Sequence, residues 1–242
     1  RDGVPYVGPA NGSSAAQPVN ITVSADDKTT QEERLVLNSG VTGMDLSPDN
    51  ETVVFEVRNE LWRVPVKKGK GPNADDATQL TNWEGLDVNP ILSPDGKTLY
   101  YLSDKSGASN LWAMDMATKQ AKAITDWPQD ITGLKLMPLR KSLCFIGTGE
   151  HAGLHKMNLE TKKIERVIPG QPTSVFAEDT DYSWSPDERY VAYSDQINRS
   201  GYYFWENAAN IMVWDTRSKQ LPVNVSRLAA NEFAPAWSPD GK

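Results

Sequence analysis

A proline-centred turn recurs five times along this 242-residue chain, at Pro48, Pro94, Pro138, Pro186 and Pro239. Its contexts are Ser47-Pro48-Asp49-Asn50, Ser93-Pro94-Asp95-Gly96, Met137-Pro138-Leu139-Arg140, Ser185-Pro186-Asp187-Glu188 and Ser238-Pro239-Asp240-Gly241. The steps of 46, 44, 48 and 53 residues lie close to the period of about 40 to 45 residues that marks a four-stranded propeller blade. Proline presets the torsion at the second turn position, Asp bonds back to nearby amides, and Gly or Asn takes the left-handed conformation that closes a hairpin. The third copy keeps only Pro138 and the fourth puts Glu188 where glycine is preferred. Those two turns are expected to be strained or differently shaped.

The repeat extends beyond the turn. Two residues before each proline stand Leu46, Leu92, Leu136, Trp184 and Trp237, and seven after stand Phe55, Tyr101, Phe145 and Tyr193. The strand that follows the turn is apolar on successive residues in all four copies, as in Leu99-Tyr100-Tyr101-Leu102 and Leu143-Cys144-Phe145-Ile146. A strand apolar on both faces needs packing on both sides, which stacked blades provide. The four aromatics should therefore be buried at corresponding places. A third strand follows as Leu61–Val64, Leu111–Met114, Leu154–Met157 and Ile211–Trp214. A shorter fourth follows near Gln79–Thr81, Ala123–Thr125, Val167–Ile168 and Asn224–Ser226. No segment longer than a turn or two reads as helix.

These features predict an all-β chain, a β-propeller of four-stranded blades with complete blades over 41–81, 87–125, 131–168 and 181–226. Residues 1–24 read as the last strands of a preceding blade (4–7 and 18–24), 25–40 as a connecting segment, and 232–242 as the start of a next blade, with Phe233–Trp237 its first strand. The two ends together lack the apolar second strand. The expectation is thus four complete blades plus partial blades at both ends, a fragment of a propeller of about six or seven blades. With 38% hydrophobic residues, its core would be divided among the contacts between blades.

A net charge of −7 argues against nucleic acid, whose phosphates need a basic footprint, and there is no Lys/Arg stripe beyond the turn-like Lys67-Lys68-Gly69-Lys70. Anionic membrane surfaces are disfavoured for the same reason, and no stretch suits membrane insertion. The single cysteine, Cys144, takes the place of Val54, Tyr100 and Ala192 in the repeat, which suits a buried structural thiol. The two histidines, His151 and His155, are spaced as helical zinc ligands would be, but they flank a turn between strands, where that spacing does not bring side chains to one face. Gly147-Thr148-Gly149 lacks the third glycine of a dinucleotide loop and opens no helix. Ser103-Asp104 and Ser194-Asp195 end equivalent strands and suit Asx-type turns. With no histidine base poised beside a nucleophile, a serine triad inside this segment is not expected; nor is a metal or cofactor.

One face stands out. In a propeller the loops joining strand two to three and those joining one blade to the next emerge together. Here they carry Trp83, Trp127 and Phe176 between blades, and Tyr202, Tyr203, Phe204 and Trp205 in a long loop from about Asp195 to Asn210. Glu84, Asp87, Asp126, Asp130, Glu178, Asp179 and Asp181 accompany them. Trp83 and Trp127 suit wedges between blades; the long aromatic loop suits either packing over the propeller or contact with a peptide or protein ligand. The carboxylates would favour basic or N-terminal amine groups.

The run of apolar strand, Ser-Pro-Asp-Gly, apolar strand ending in Ser-Asp, then Leu-Trp-x-Met-Asp, clearest from Leu92 to Asp115, resembles the WD-like repeats of TolB and of tricorn-type peptidase propellers. The block from Pro18 to Pro48, with Ala25-Asp26-Asp27-Lys28, Glu33 and Ser39-Gly40 leading into Leu46-Ser47-Pro48-Asp49, is similar to bacterial tricorn-like serine peptidases. That resemblance implies a noncatalytic propeller that binds or guides peptides toward a downstream peptidase domain of the same chain, in the cytoplasm. The alternatives are a TolB-like envelope scaffold, periplasmic if a signal peptide preceded Arg1, and the propeller of a prolyl-oligopeptidase-type hydrolase. The family's catalytic residues match no position of this segment.

Overall fold

The computed structural model describes residues 6–11, 13–19, 39–67, 69, 74–169, 182–196, 209–218, 220–226, 232 and 234–241. The chain divides into two compact units, Arg1–Gly40 and Val41–Lys242. In the first, β1 (Tyr6–Val7) and β2 (Gln17–Pro18) pair antiparallel as an exposed hairpin. In the second, four antiparallel sheets follow one another along the chain, each a four-stranded meander. Blade one comprises β3 (Val41–Leu46), β4 (Thr52–Val57), β5 (Glu60–Pro65) and β6 (Thr78–Gln79). Blade two comprises β7 (Asp87–Leu92), β8 (Thr98–Ser103), β9 (Asn110–Asp115) and β10 (Ala121–Ala123). Blade three comprises β11 (Ile131–Leu136), β12 (Ser142–Gly147), β13 (Gly153–Asn158) and β14 (Ile164–Pro169). Blade four comprises β15 (Tyr182–Trp184), β16 (Tyr190–Gln196), β17 (Ala209–Asp215) and β18 (Val223–Asn224). Only two single-turn 3-10 segments interrupt the described β structure.

The five proline turns share one shape, which corrects the expectation for the third and fourth. Two residues after each proline the backbone is left-handed, at Asn50, Gly96, Arg140, Glu188 and Gly241 (φ 60°, 69°, 56°, 55° and 73°). The same amide in each donates to the carbonyl of the first turn residue at 2.8 to 3.0 Å. Composition alters only the side-chain bracing. In the second turn Ser93 Oγ donates to Asp95 Oδ1 (2.6 Å) and accepts from Thr98 N (2.9 Å). In the third, Met137 replaces serine and buries its side chain among the blade-three and blade-four apolar residues, while the Leu139 amide donates to Glu188 Oε1 at 2.8 Å. Glu188 tolerates a strained φ, at a cost of about 1 kcal/mol or more, yet it ties the fourth turn to the third.

Among the described residues the core is not one mass but three layers, each between successive blades. Val54, Leu61 and Leu80 pack with Leu92, Leu99, Tyr101 and Met114. Tyr100, Leu102 and Leu111 pack with Ile131, Leu143, Phe145 and Met157. Cys144, Ile146 and Leu154 pack with Tyr182, Trp184, Val191 and Tyr193. Alternation along the second strand therefore sends Tyr101, Phe145 and Tyr193 toward the preceding blade, and all three are buried. Phe55 is only half-buried, against expectation, because no other blade among the described residues of Val41–Lys242 covers that side of blade one.

The innermost strands carry a second repeat that the sequence reading did not register. Their pairing slips between Val41 and Gly43, Val88 and Ile91, and Thr132 and Lys135. Five residues before the turn proline the backbone is left-handed at Asn89, Gly133 and Ala234 (φ 59°, 61° and 58°). Such bulges bend and twist the strand. Neighbouring blades are stitched at the same level: the Leu92 amide donates to Asp45 Oδ2 of blade one at 2.7 Å, and the Trp237 amide to Ser183 Oγ of blade four at 3.3 Å. Residues 234–238 form no ladder among the described residues. Trp237 nevertheless repeats the docking of Leu92, and its indole N–H reaches the Ser183 carbonyl at 3.1 Å.

Candidate functional site

Among the described residues, the loops after the second strands and the connections between blades meet on one face. In blade one the second and third strands are joined by Arg58 and Asn59 alone, both left-handed (φ 53° and 63°), the two-residue hairpin geometry that follows strand twist. In blade two the equivalent loop lengthens over residues 104–109, and in blade three it becomes the 3-10 turn Gly149–His151. Of the connections, residues 80–86 and 124–130 are described. Phe176, Glu178, Asp179, Asp181 and the aromatic run Tyr202, Tyr203, Phe204, Trp205 lie outside the described residues.

A shared clamp places Trp83 and Trp127. Thr125 Oγ1 donates to Asn110 Oδ1 (2.8 Å), which also accepts the Trp127 amide (2.8 Å), and Thr125 Oγ1 accepts the Leu111 amide (2.9 Å). Blade one repeats this with Glu60: Oε2 accepts from Thr81 Oγ1 (2.7 Å), Oε1 from the Trp83 amide (2.9 Å), and Thr81 Oγ1 accepts the Leu61 amide (2.9 Å). The readable signal is Thr-x-Trp at 81–83 and 125–127; sequence reasoning singled out the tryptophans and passed over the threonines.

Beyond the clamp the two indoles differ. Trp127 is stacked on His151 (ring centroids 4.2 Å apart, 14° between planes) and touches His155 and Phe145 at 4.8 and 5.8 Å. It is a wedge between blades two and three. Trp83 stays at the surface, with its indole N–H donated to Asp104 Oδ1 at 2.8 Å and the Lys105 ammonium 5.4 Å from its ring centre. The Leu86 amide adds a second bond to the same oxygen at 2.9 Å. Gly85 fits beneath because any Cβ there would collide with the Asp104 carboxylate. Trp83 is thereby a rigid exposed aromatic, 36% accessible.

The histidines do converge, contrary to the spacing argument. The 3-10 turn folds the chain back so that both rings meet Trp127, and His155 Nε2–H donates to the His151 carbonyl at 2.8 Å. Burial holds the His155 pKa below its ordinary value, so this is a packed neutral ring with its Nε2 proton committed. Cys144 is fully buried under Tyr182, whose hydroxyl lies 3.2 Å from its sulfur, and burial pushes its thiol up to about 12. Among the described residues no group of His, Cys, Asp and Glu is arranged to hold a metal ion.

Asp87 stands apart from the other acidic residues. At the start of β7 it is buried between blades one and two, near Ser103, Thr81 and Glu60, with Oδ1 lacking any hydrogen-bond partner. Burial raises its pKa above the ordinary value. Beside it, between blades two and three, an open cleft of about 840 Å³ runs along the bulged strands β7 and β11. Asp104, Asp130, Leu102, Ile131, Leu134 and Lys135 are among its lining residues. Of these, only Asp130 was assigned to the loop face from sequence and Asp104 was read as part of an Asx-type turn, because a cleft made by two strands some 45 residues apart leaves no local pattern.

No family model matches the chain, and no curated protein matches it by sequence. Its backbone resembles solved propellers. The tricorn protease is 15% identical, with a TM-score of 0.64 over 99% of this chain and 22% of that one. TolB from Acinetobacter baumannii is 18% identical (TM-score 0.54, 83% of this chain, 47% of that one), and a puromycin-hydrolyzing peptidase of Mycobacterium tuberculosis 14% (0.56, 81% and 30%). The chain thus spans less than half the length of each of these three. With its four successive four-stranded blades, its fold is that of the TolB- and tricorn-type β-propellers.

Proposed function

We propose that this chain is the noncatalytic propeller of a larger tricorn-like serine peptidase, and that its loop face binds or guides peptide substrates toward a peptidase domain of the same chain. The observation that carries this reading is the surface itself: the exposed, clamped indole of Trp83 and the carboxylates of Asp104 and Asp130 beside an open cleft. Rigid aromatics supply contact area at low entropic cost, and carboxylates select cationic groups. Likeness of fold to the tricorn protease along 99% of the chain supports the same reading. The described side chains suit binding better than catalysis, since His155 and Cys144 are both packed away from solvent.

The test is a titration of the purified chain with fluorescent extended peptides, beside a Tyr203→Ala/Trp205→Ala double variant. The expected result is measurable capture, weakened by about 2 kcal/mol in the double variant, the scale of an interface hot spot, at an unchanged melting temperature. Unchanged affinity in the folded variant would remove the aromatic loop from the binding surface. Failure of every peptide to bind, with capture of a folded protein instead, would favour the TolB-like scaffold.

A further inference from the structure

We infer that the cleft between blades two and three is a receptor for the free N-terminal ammonium of an extended peptide, an inference that rests on the peptide-guiding role proposed above. The cleft has a lining, a charged end and a length that suit this occupant. Beneath it lie Leu102, Ile131 and Leu134, all buried within the layer between the two blades, and the exposed Leu86 adds an apolar side chain to its lining. Its volume of about 840 Å³ falls within the range of ligand sites, roughly 300 to 1,000 Å³.

The loop end of the cleft is acidic. Asp104 enters from the β8–β9 loop and Asp130 from the connection between the blades. Both carboxylates are already fixed: Asp104 Oδ1 by the Trp83 indole and the Leu86 amide, and Asp130 Oδ1 by the Ser109 amide at 2.8 Å. A carboxylate offers about four acceptor sites, so each retains capacity for a cationic donor. An ammonium brings three donors and would be held by two oriented acceptors from different loops.

The Lys135 ammonium is turned to the far face of blade three, donated to the Tyr182 carbonyl at 2.8 Å and set 4.5 Å from the Tyr182 ring centre. The two carboxylates at the loop end therefore set the orientation, drawing the N-terminus of a peptide to the loop face. From Ile131 to Lys135 the strand rises by about 13 Å, the length of roughly four extended residues. The cleft therefore reads the first few residues of a chain, with the apolar residues beneath the side chains that follow the ammonium.

The experiment titrates the full chain with two tetrapeptides of apolar sequence, both labelled at the C-terminus, one with a free N-terminus and one acetylated. Acetylation should weaken binding about tenfold, the effect of removing a charge shared by two carboxylates at a partly exposed site. Asp104→Asn/Asp130→Asn keeps both acceptor oxygens and so the loops; it should lose the same factor for the free peptide and make the two peptides equal. Because an α-amine deprotonates near pH 8, binding of the free peptide should fade between about pH 7 and 9, whereas a lysine side chain would stay charged. Equal affinity for the free and acetylated peptides in the unaltered chain would overturn this inference while leaving the peptide-guiding role standing. So would a free-amine preference that survives in the double variant. If neither peptide binds, and no longer peptide does either, the role itself fails.

Discussion

β4 and β12 hold the same place in their blades and follow the same apolar pattern, yet they meet different surroundings. Every residue from Ser142 to Gly147 is buried, whereas in β4 only Val54 is. Val54 faces blade two; Phe55 faces the side on which the described residues of Val41–Lys242 place no other blade. On the same innermost-strand side of blade one, Met44 is 71% accessible and Val41 49%, whereas the equivalents of blade three are closed in by blades on either side. A propeller strand thus derives its burial from its neighbours, and sequence pattern states only what the strand is prepared to receive.

That difference should be measurable in stability. Phe145→Ala removes a ring buried between blades two and three and is expected to cost about 3 to 5 kcal/mol in urea unfolding. Phe55→Ala, at the equivalent position, should cost only about 1 to 2 kcal/mol, because much of its transfer free energy is not realised. Equal losses would break the comparison and mean that Phe55 has a full complement of neighbours.

The turns sharpen the same contrast on a smaller scale. Ser93→Ala deletes two hydrogen bonds within the second turn, an expected loss of about 1 to 2 kcal/mol. Met137 already fills that position in the third turn with packing instead. Met137→Ser should therefore not gain what Ser93→Ala loses, since it restores the hydroxyl without Asp at 139 and empties a buried site. A stabilised Met137→Ser variant would show that the turn, and not the layer beneath it, decides the residue.

The smallest effect concerns the layer between blades one and two, where Asp87 occupies the position that Ile131 fills one layer on. Its folded pKa lies above the ordinary 3.8, so the native state binds more protons than the unfolded chain between that value and the raised one. Stability from this group is accordingly greatest at low pH and is lost as pH rises through the window. Asp87→Asn should raise stability by about 1 kcal/mol at pH 7 and by little below about pH 4, as read by melting curves at the two pH values. A gain of equal size at both would mean that ionisation of Asp87 is not what weakens this layer.

Much of the architecture was legible because the turn residues and the alternating strand pattern are local. Pro48, Pro94, Pro138 and Pro186 located the four blades, and the aromatic seven residues on located their central strands. The shape of the third turn was misread because the flanking strands impose it: Arg140 is left-handed although nothing in Met137-Pro138-Leu139-Arg140 asks for it. Phe55 was misread because burial depends on a neighbour that pattern cannot supply. The bulges at Asn89 and Gly133 were missed because such different residues serve one backbone conformation. At the site, Trp83 and Trp127 were legible by position and Asp130 by charge. Asp104 was read only as part of an Asx-type turn, whereas its carboxylate accepts from the Trp83 indole and the Leu86 amide; Thr81, Thr125 and Asn110 were passed over, because each matters only through a partner 14 or more residues away.

The most direct test of the central claim, a propeller face that holds peptides without cutting them, is a mass-spectrometric time course of the purified chain with a library of extended peptides. Peptides should be retained on the protein and recovered intact, with free-amine species enriched over acetylated ones. Cleavage products that disappear on one serine substitution would contradict it, as would recovery of no peptide at all.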